Sequence, residues 1–157
     1  MIILSLDSGL EKTGYAIFKK NKSEPELLIS GLIKTARNKT TDKRIEEIYL
    51  KLKETIIKYK PAIVVVEKLF FNKNIKTAIA VAQTQGIIFL LAAQHSLKLE
   101  FLSPLEIKKI ITGYGFADKQ GVRKMLEMTL KIDKKIKEDD EVDAIACGAA
   151  YCYLSRV

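Results

Sequence analysis

Apolar and polar positions along the chain alternate between a strand-like and a helix-like period. Residues 1–7 (MIILSLD), 14–19 (GYAIFK) and 27–34 (LLISGLIK) are short β-rich runs separated by polar, turn-like stretches, which predicts an antiparallel meander. From Thr41 the period changes: Ile45, Ile48, Tyr49, Leu52 and Ile56 recur at helical spacing until Pro61 ends the pattern. Residues 62–66 (AIVVV) form a continuous β-branched run ending at Glu67, suited to a strand covered on both faces in a parallel part of a sheet.

A second helix is expected over residues 75–95, apolar and alanine-rich, with Gly86 as a close-packing point and part of its surface as a subunit interface. Residues 97–102 read as another strand. Ser103, Pro104 and Glu106 then supply an N-cap, an N1 proline and the third member of a capping box, so a helix starts there. Beyond a glycine loop at 113–115, Asp118 caps a helix carrying Val122, Met125, Leu126 and Leu130. A basic stretch, 131–137, leads to a last helix from about Asp139. The order is βββαβαβααα, an α/β fold with a mixed sheet flanked by helices.

At 157 residues and 48% hydrophobic content, with no linker-like segment, the chain is expected to be a single domain, 1–157. Its formal charge of +8, from 27 basic and 19 acidic residues, favours a polyanionic partner. Most of that charge is lysine, which points to backbone and shape recognition more than base reading. The longest apolar stretch, 86–93, is far short of the ~20 residues that span a bilayer. Cys147 and Cys152 match no zinc or redox spacing and are expected to be buried, reduced core residues, in keeping with a cytoplasmic protein.

The candidate chemistry lies in carboxylates. Asp7 closes the first strand and Glu67 closes the second apolar one, the end at which open α/β sheets hold their ligands. Asp140 and Asp143, three apart at a helix start, share one face. Hard oxygen donors of this kind suit Mg²⁺ or Mn²⁺, and two ions ~4 Å apart can drive phosphodiester hydrolysis. Each acid alone also fits a plainer role, as a turn residue or as a counter-charge to a helix dipole.

Asp7, Gly9, Thr13, Gly14 and Tyr15 resemble the DPGxxxTGY signature of the RuvC family of Holliday junction resolvases, in the ribonuclease H-like superfamily, with Ser8 where proline is usual. That replacement is expected to alter loop rigidity and not metal binding. Glu67 followed by Phe70 is similar to the family's second motif, and Asp140, Asp143 and Ala144 resemble its closing DxxDA pattern, whose last acidic position is histidine in some members.

The resemblance covers essentially the whole chain. It implies metal-dependent cutting of four-way DNA junctions by a homodimer, with Asp7, Glu67, Asp140 and Asp143 as catalytic metal ligands for Mg²⁺ or Mn²⁺ ions, two per subunit. It implies that Lys108 and Lys119 act on phosphate near the cut and that Phe70 is an aromatic wedge, although Phe71 stands beside it. Lys76 and residues 131–137 would add a charged DNA-binding surface, and a branch-migration motor is a further partner the resemblance brings. Two alternatives stay open: a related nuclease acting on RNA or other branched DNA, and an actin-like or sugar-kinase-type ATPase, which would need a second lobe.

Overall fold

The computed structural model describes residues 1–21, 24–68, 75–130, 132 and 136–154, and of 75–77 the backbone alone. Ten elements follow the expected order: β1 (Ile2–Asp7), β2 (Lys12–Lys20), β3 (Pro25–Lys34), α1 (Thr41–Tyr59), β4 (Ile63–Glu67), α2 (Ile75–Gln94), β5 (Lys98–Leu102), α3 (Pro104–Thr112), α4 (Lys119–Thr129) and α5 (Asp139–Leu154). The five strands form one sheet in the order β3-β2-β1-β4-β5. The first three are antiparallel, as the meander predicts, and β4 and β5 join β1 in parallel.

Because side chains alternate across a strand, the sheet has two distinct faces. Leu4, Leu6, Val64 and Val66 point to one, where Ile48, Leu52 and Ile56 of α1 and Ile88 and Leu91 of α2 cover them. Ile3, Ile63 and Val65 point to the other, under α5 and the pair α3 and α4. Leu6 is paired with Val66, so the same register sets Asp7 abreast of Glu67, on the face that α3, α4 and α5 cover.

Local signals act as the sequence implies. Ser103 Oγ accepts from Glu106 N–H at 3.2 Å, and the Glu106 carboxylate accepts from Ser103 N–H at 2.7 Å. Asp118 caps α4 by accepting from Gly121 N–H at 2.7 Å. Cys147 and Cys152 are buried and form no disulfide with each other. Gly86 departs from expectation: a Cβ there would meet nothing within 4 Å, so it is not a close-packing point within the chain. Its side of α2 faces outward instead, beside exposed Ile79 and Leu90. No helix among the described residues is long and apolar enough to cross a membrane.

Candidate active site

The first carboxylate is held by its own motif. Thr13, fully buried, donates from Oγ1 to the Gly9 carbonyl at 2.7 Å and so closes the turn that follows Asp7. A Cβ on Gly14 would overlap the Asp140 carbonyl. Glycine is therefore what lets the first turn of α5 settle on β2, which brings the closing acidic motif to the opening one.

Further polar ties fix α5 in that place. Ser5 Oγ donates to the Ala144 carbonyl at 2.8 Å from beneath the helix. Glu138, just before α5, accepts from both Lys12 and Lys34 at the ends of β2 and β3, and these bonds hold its pKa down at about 2. Arg123 of α4 donates to the Ile136 carbonyl at 2.6 Å and pairs with Asp139 at 3.3 Å.

The two helix aspartates line different cavities. Asp143 lines a pocket of about 210 Å³ together with Glu67, Lys108, Lys119 and Ile107. Asp140 lines the adjoining groove with Gly9, Lys12 and Arg44. Asp7 nevertheless feels the other three acids. Burial, then Glu67, Asp143 and Asp140, push the Asp7 pKa up to about 8. Burial and Asp143 raise Glu67 to about 7, and burial also raises Asp143 against the pull of Lys119.

Lys119, at the first position of α4, reaches Asp143 Oδ2 at 3.3 Å and Asp139 Oδ2 at 3.4 Å. Burial works to lower its pKa, but Asp143 and Asp139 outweigh burial and hold the ammonium above its ordinary range. Lys108 stands on the same pocket wall. Phe70 and Phe71 lie outside the described residues, as do 131 and 133–135 of the basic stretch, and Lys76 is placed by its backbone only, in the first turn of α2.

These donors fit a hard divalent cation. Carboxylates with pKa values lifted to about 7 and 8 show a site short of positive charge, which a cation would supply. Cys147 lies close enough to feel Glu67 and Asp7, but burial pushes its thiol pKa well up and leaves it a protonated core residue. Among the described residues no three His, Cys, Asp or Glu side chains are already drawn into a ligand cage.

Sequence reasoning missed Gln85. Buried on α2, it donates from Nε2 to Ser8 Oγ at 3.2 Å and to the Glu67 carbonyl at 3.1 Å, joining the ends of both acid-bearing strands. Ser8 is thus more than a looser turn: it supplies an acceptor that proline lacks. A glutamine within an apolar helix was the available signal, though its partners lie 77 and 18 residues away.

The family described as Crossover junction endodeoxyribonuclease RuvC matches residues 3–151. A protein of that name from Alkaliphilus metalliredigens is 37% identical over 153 residues, covering 98% of this chain and 93% of its own. Another from Natranaerobius thermophilus is 38% identical over 157 residues, covering 100% and 98%. Among solved structures, T. thermophilus RuvC in complex with Holliday junction substrate superposes with a TM-score of 0.92 at 22% identity, over 99% of this chain and 95% of that one.

Proposed function

The chain belongs to the RuvC family of crossover junction endodeoxyribonucleases, and from that premise we propose how its own residues resolve a Holliday junction. What supports this reading is that Glu67 and Asp143 line one pocket with Lys108 and Lys119, while Asp7 feels Glu67, Asp143 and Asp140. The four carboxylates would hold Mg²⁺ or Mn²⁺, two ions per subunit. When bound, such ions activate water and offset charge on the leaving oxygen.

The protein's own groups do the rest. Asp7 and Glu67, fixed on a rigid sheet, set the position of the cut; Asp140 and Asp143 close on it from α5. Lys119 and Lys108 face the phosphate and stabilise charge that develops in the transition state. The lysine-rich surface supplies affinity through phosphate contacts. Phosphate contact by Lys76 and stacking by Phe70 on an unpaired base are assigned from motif position.

Two symmetric nicks need two copies of this centre, hence a homodimer. The outer face of α2, where Ile79, Phe89 and Leu90 are exposed around Gly86, is the surface we assign to it. The protein would work in the cytoplasm, where Cys147 and Cys152 stay reduced.

A synthetic mobile four-way junction tests the reading. With Mg²⁺ it should be converted to nicked duplexes, while linear duplex of the same sequence is left intact. Equal cutting of both would refute junction specificity.

A further inference from the structure

The loop between α3 and α4 presents two large rings to solvent. Tyr114 is 62% and Phe116 75% exposed, the latter more than any other large apolar side chain among the described residues. Their ring centroids are 5.8 Å apart at an interplanar angle of 57°. Between them Gly115 lies close to Leu105, itself 49% exposed, so apolar surface is exposed on both sides of that approach. Water-facing aromatics in such a group are a cost to a soluble chain unless something covers them.

The loop is tied down. Gly113 takes the left-handed conformation that ends α3, and its N–H donates to the Lys109 carbonyl at 2.9 Å. Tyr114 N–H donates to Thr112 Oγ1 at 3.1 Å, and Ala117 N–H to the Tyr114 carbonyl at 3.1 Å. Asp118 then starts α4, and the next residue is Lys119, whose ammonium lies in the acidic pocket. The rings are therefore held at a fixed place next to the site.

Charge decides what covers them. Lys108 lines the pocket, Lys109 flanks Gly115, and Lys119 follows the rings. A polyanion whose flat apolar bases alternate with phosphates matches rings set among lysines. Resting on the resolvase reading above, we infer that Tyr114 and Phe116 form an aromatic contact for the junction DNA beside the scissile phosphate, stacking on bases or sugars there. This contact would be separate from the wedge assigned to Phe70, and it would orient the strand whose phosphate meets Lys119.

The test is binding of a four-way junction in EDTA, so that nothing is cut. The double variant Tyr114→Ser with Phe116→Ser should bind about 10- to 100-fold more weakly. The dependence of log Kd on log salt should keep its slope, because the rings neutralise no phosphate. Thermal unfolding and oligomeric mass should stay as in the wild type, and Tyr114→Phe with Phe116→Tyr should restore wild-type affinity. 2-Aminopurine placed next to the cut should be quenched by the wild type and not by the serine variant.

Affinity within twofold of wild type would overturn the inference. So would a changed salt slope, which means displaced lysines, or a changed oligomeric mass, which means that a second copy of the chain covers the rings. If the wild type itself shows no preference for the junction over duplex, it is the resolvase reading that fails; if the preference persists without any dependence on the rings, only this contact fails.

Discussion

Lys119 holds its ammonium 3.3 Å from Asp143 Oδ2, so the positive charge nearest the acidic cluster comes from the chain itself. The same cation lowers the pKa of Asp7 and of Glu67. It serves as an internal counter-ion, and one that a divalent ion at Asp143 would release toward phosphate.

This arrangement separates metal binding from turnover. Lys119→Met removes a charge that opposes a divalent ion, so the Mn²⁺ affinity of the protein should hold or rise. Junction cleavage should fall by about 100-fold, the scale of losing one preorganised stabilising group. Titration calorimetry and single-turnover cleavage on the same preparation check both halves; weaker Mn²⁺ binding would mean that Lys119 organises the acids.

The raised pKa of Asp7 has a stability consequence. Its ordinary value is 3.8 and the fold lifts it to about 8, so across that interval the folded chain holds a proton that the unfolded chain has lost. Without divalent ions, stability should therefore fall as pH rises from about 4 to about 8. Asp7→Asn should lessen that slope, leaving the share of Glu67 and Asp143, whose raised pKa values act in the same direction, and should stabilise the metal-free protein at pH 8 by about 1–3 kcal/mol. Denaturant unfolding of the two proteins at pH 5 and pH 8 measures the difference.

Gln85 bridges Ser8 and the Glu67 carbonyl from inside α2. Gln85→Leu strands both acceptors in a buried place, at about 1–3 kcal/mol. Cleavage should drop by about tenfold or more, because the two strand ends lose their common tie. Ser8→Ala leaves Gln85 its bond to Glu67 and should cost less in both respects. Equal effects of the two variants would show that the bond to Glu67 contributes nothing.

Much of this site is legible in the sequence, and the limit is set by what depends on tertiary packing. Asp7 and Glu67 each end an apolar run, so their places follow from strand periodicity once β1 and β4 are neighbours. Ser103 with Glu106, and Asp118, declare two helix starts because capping is local. That Asp140 and Asp143 line different cavities depends on how α5 lies over the sheet, where Gly14 lets its first turn come close. The open surroundings of Gly86 and the reach of Gln85 to Ser8 are likewise settled by the placing of α2, and no local pattern encodes them.

The central claim is that the four acids do the cutting while the lysine-rich surface does most of the binding. It is tested most directly by replacing Asp7, Glu67, Asp140 and Asp143 one at a time with the matching amide, then measuring junction affinity and Mg²⁺-dependent cleavage for each. The account predicts that every variant binds the junction within a few-fold of wild type and that cleavage falls by several orders of magnitude in each. A variant that cuts at the wild-type rate would contradict the place of that acid in the metal site, and loss of binding with cutting retained would contradict the division of labour as a whole.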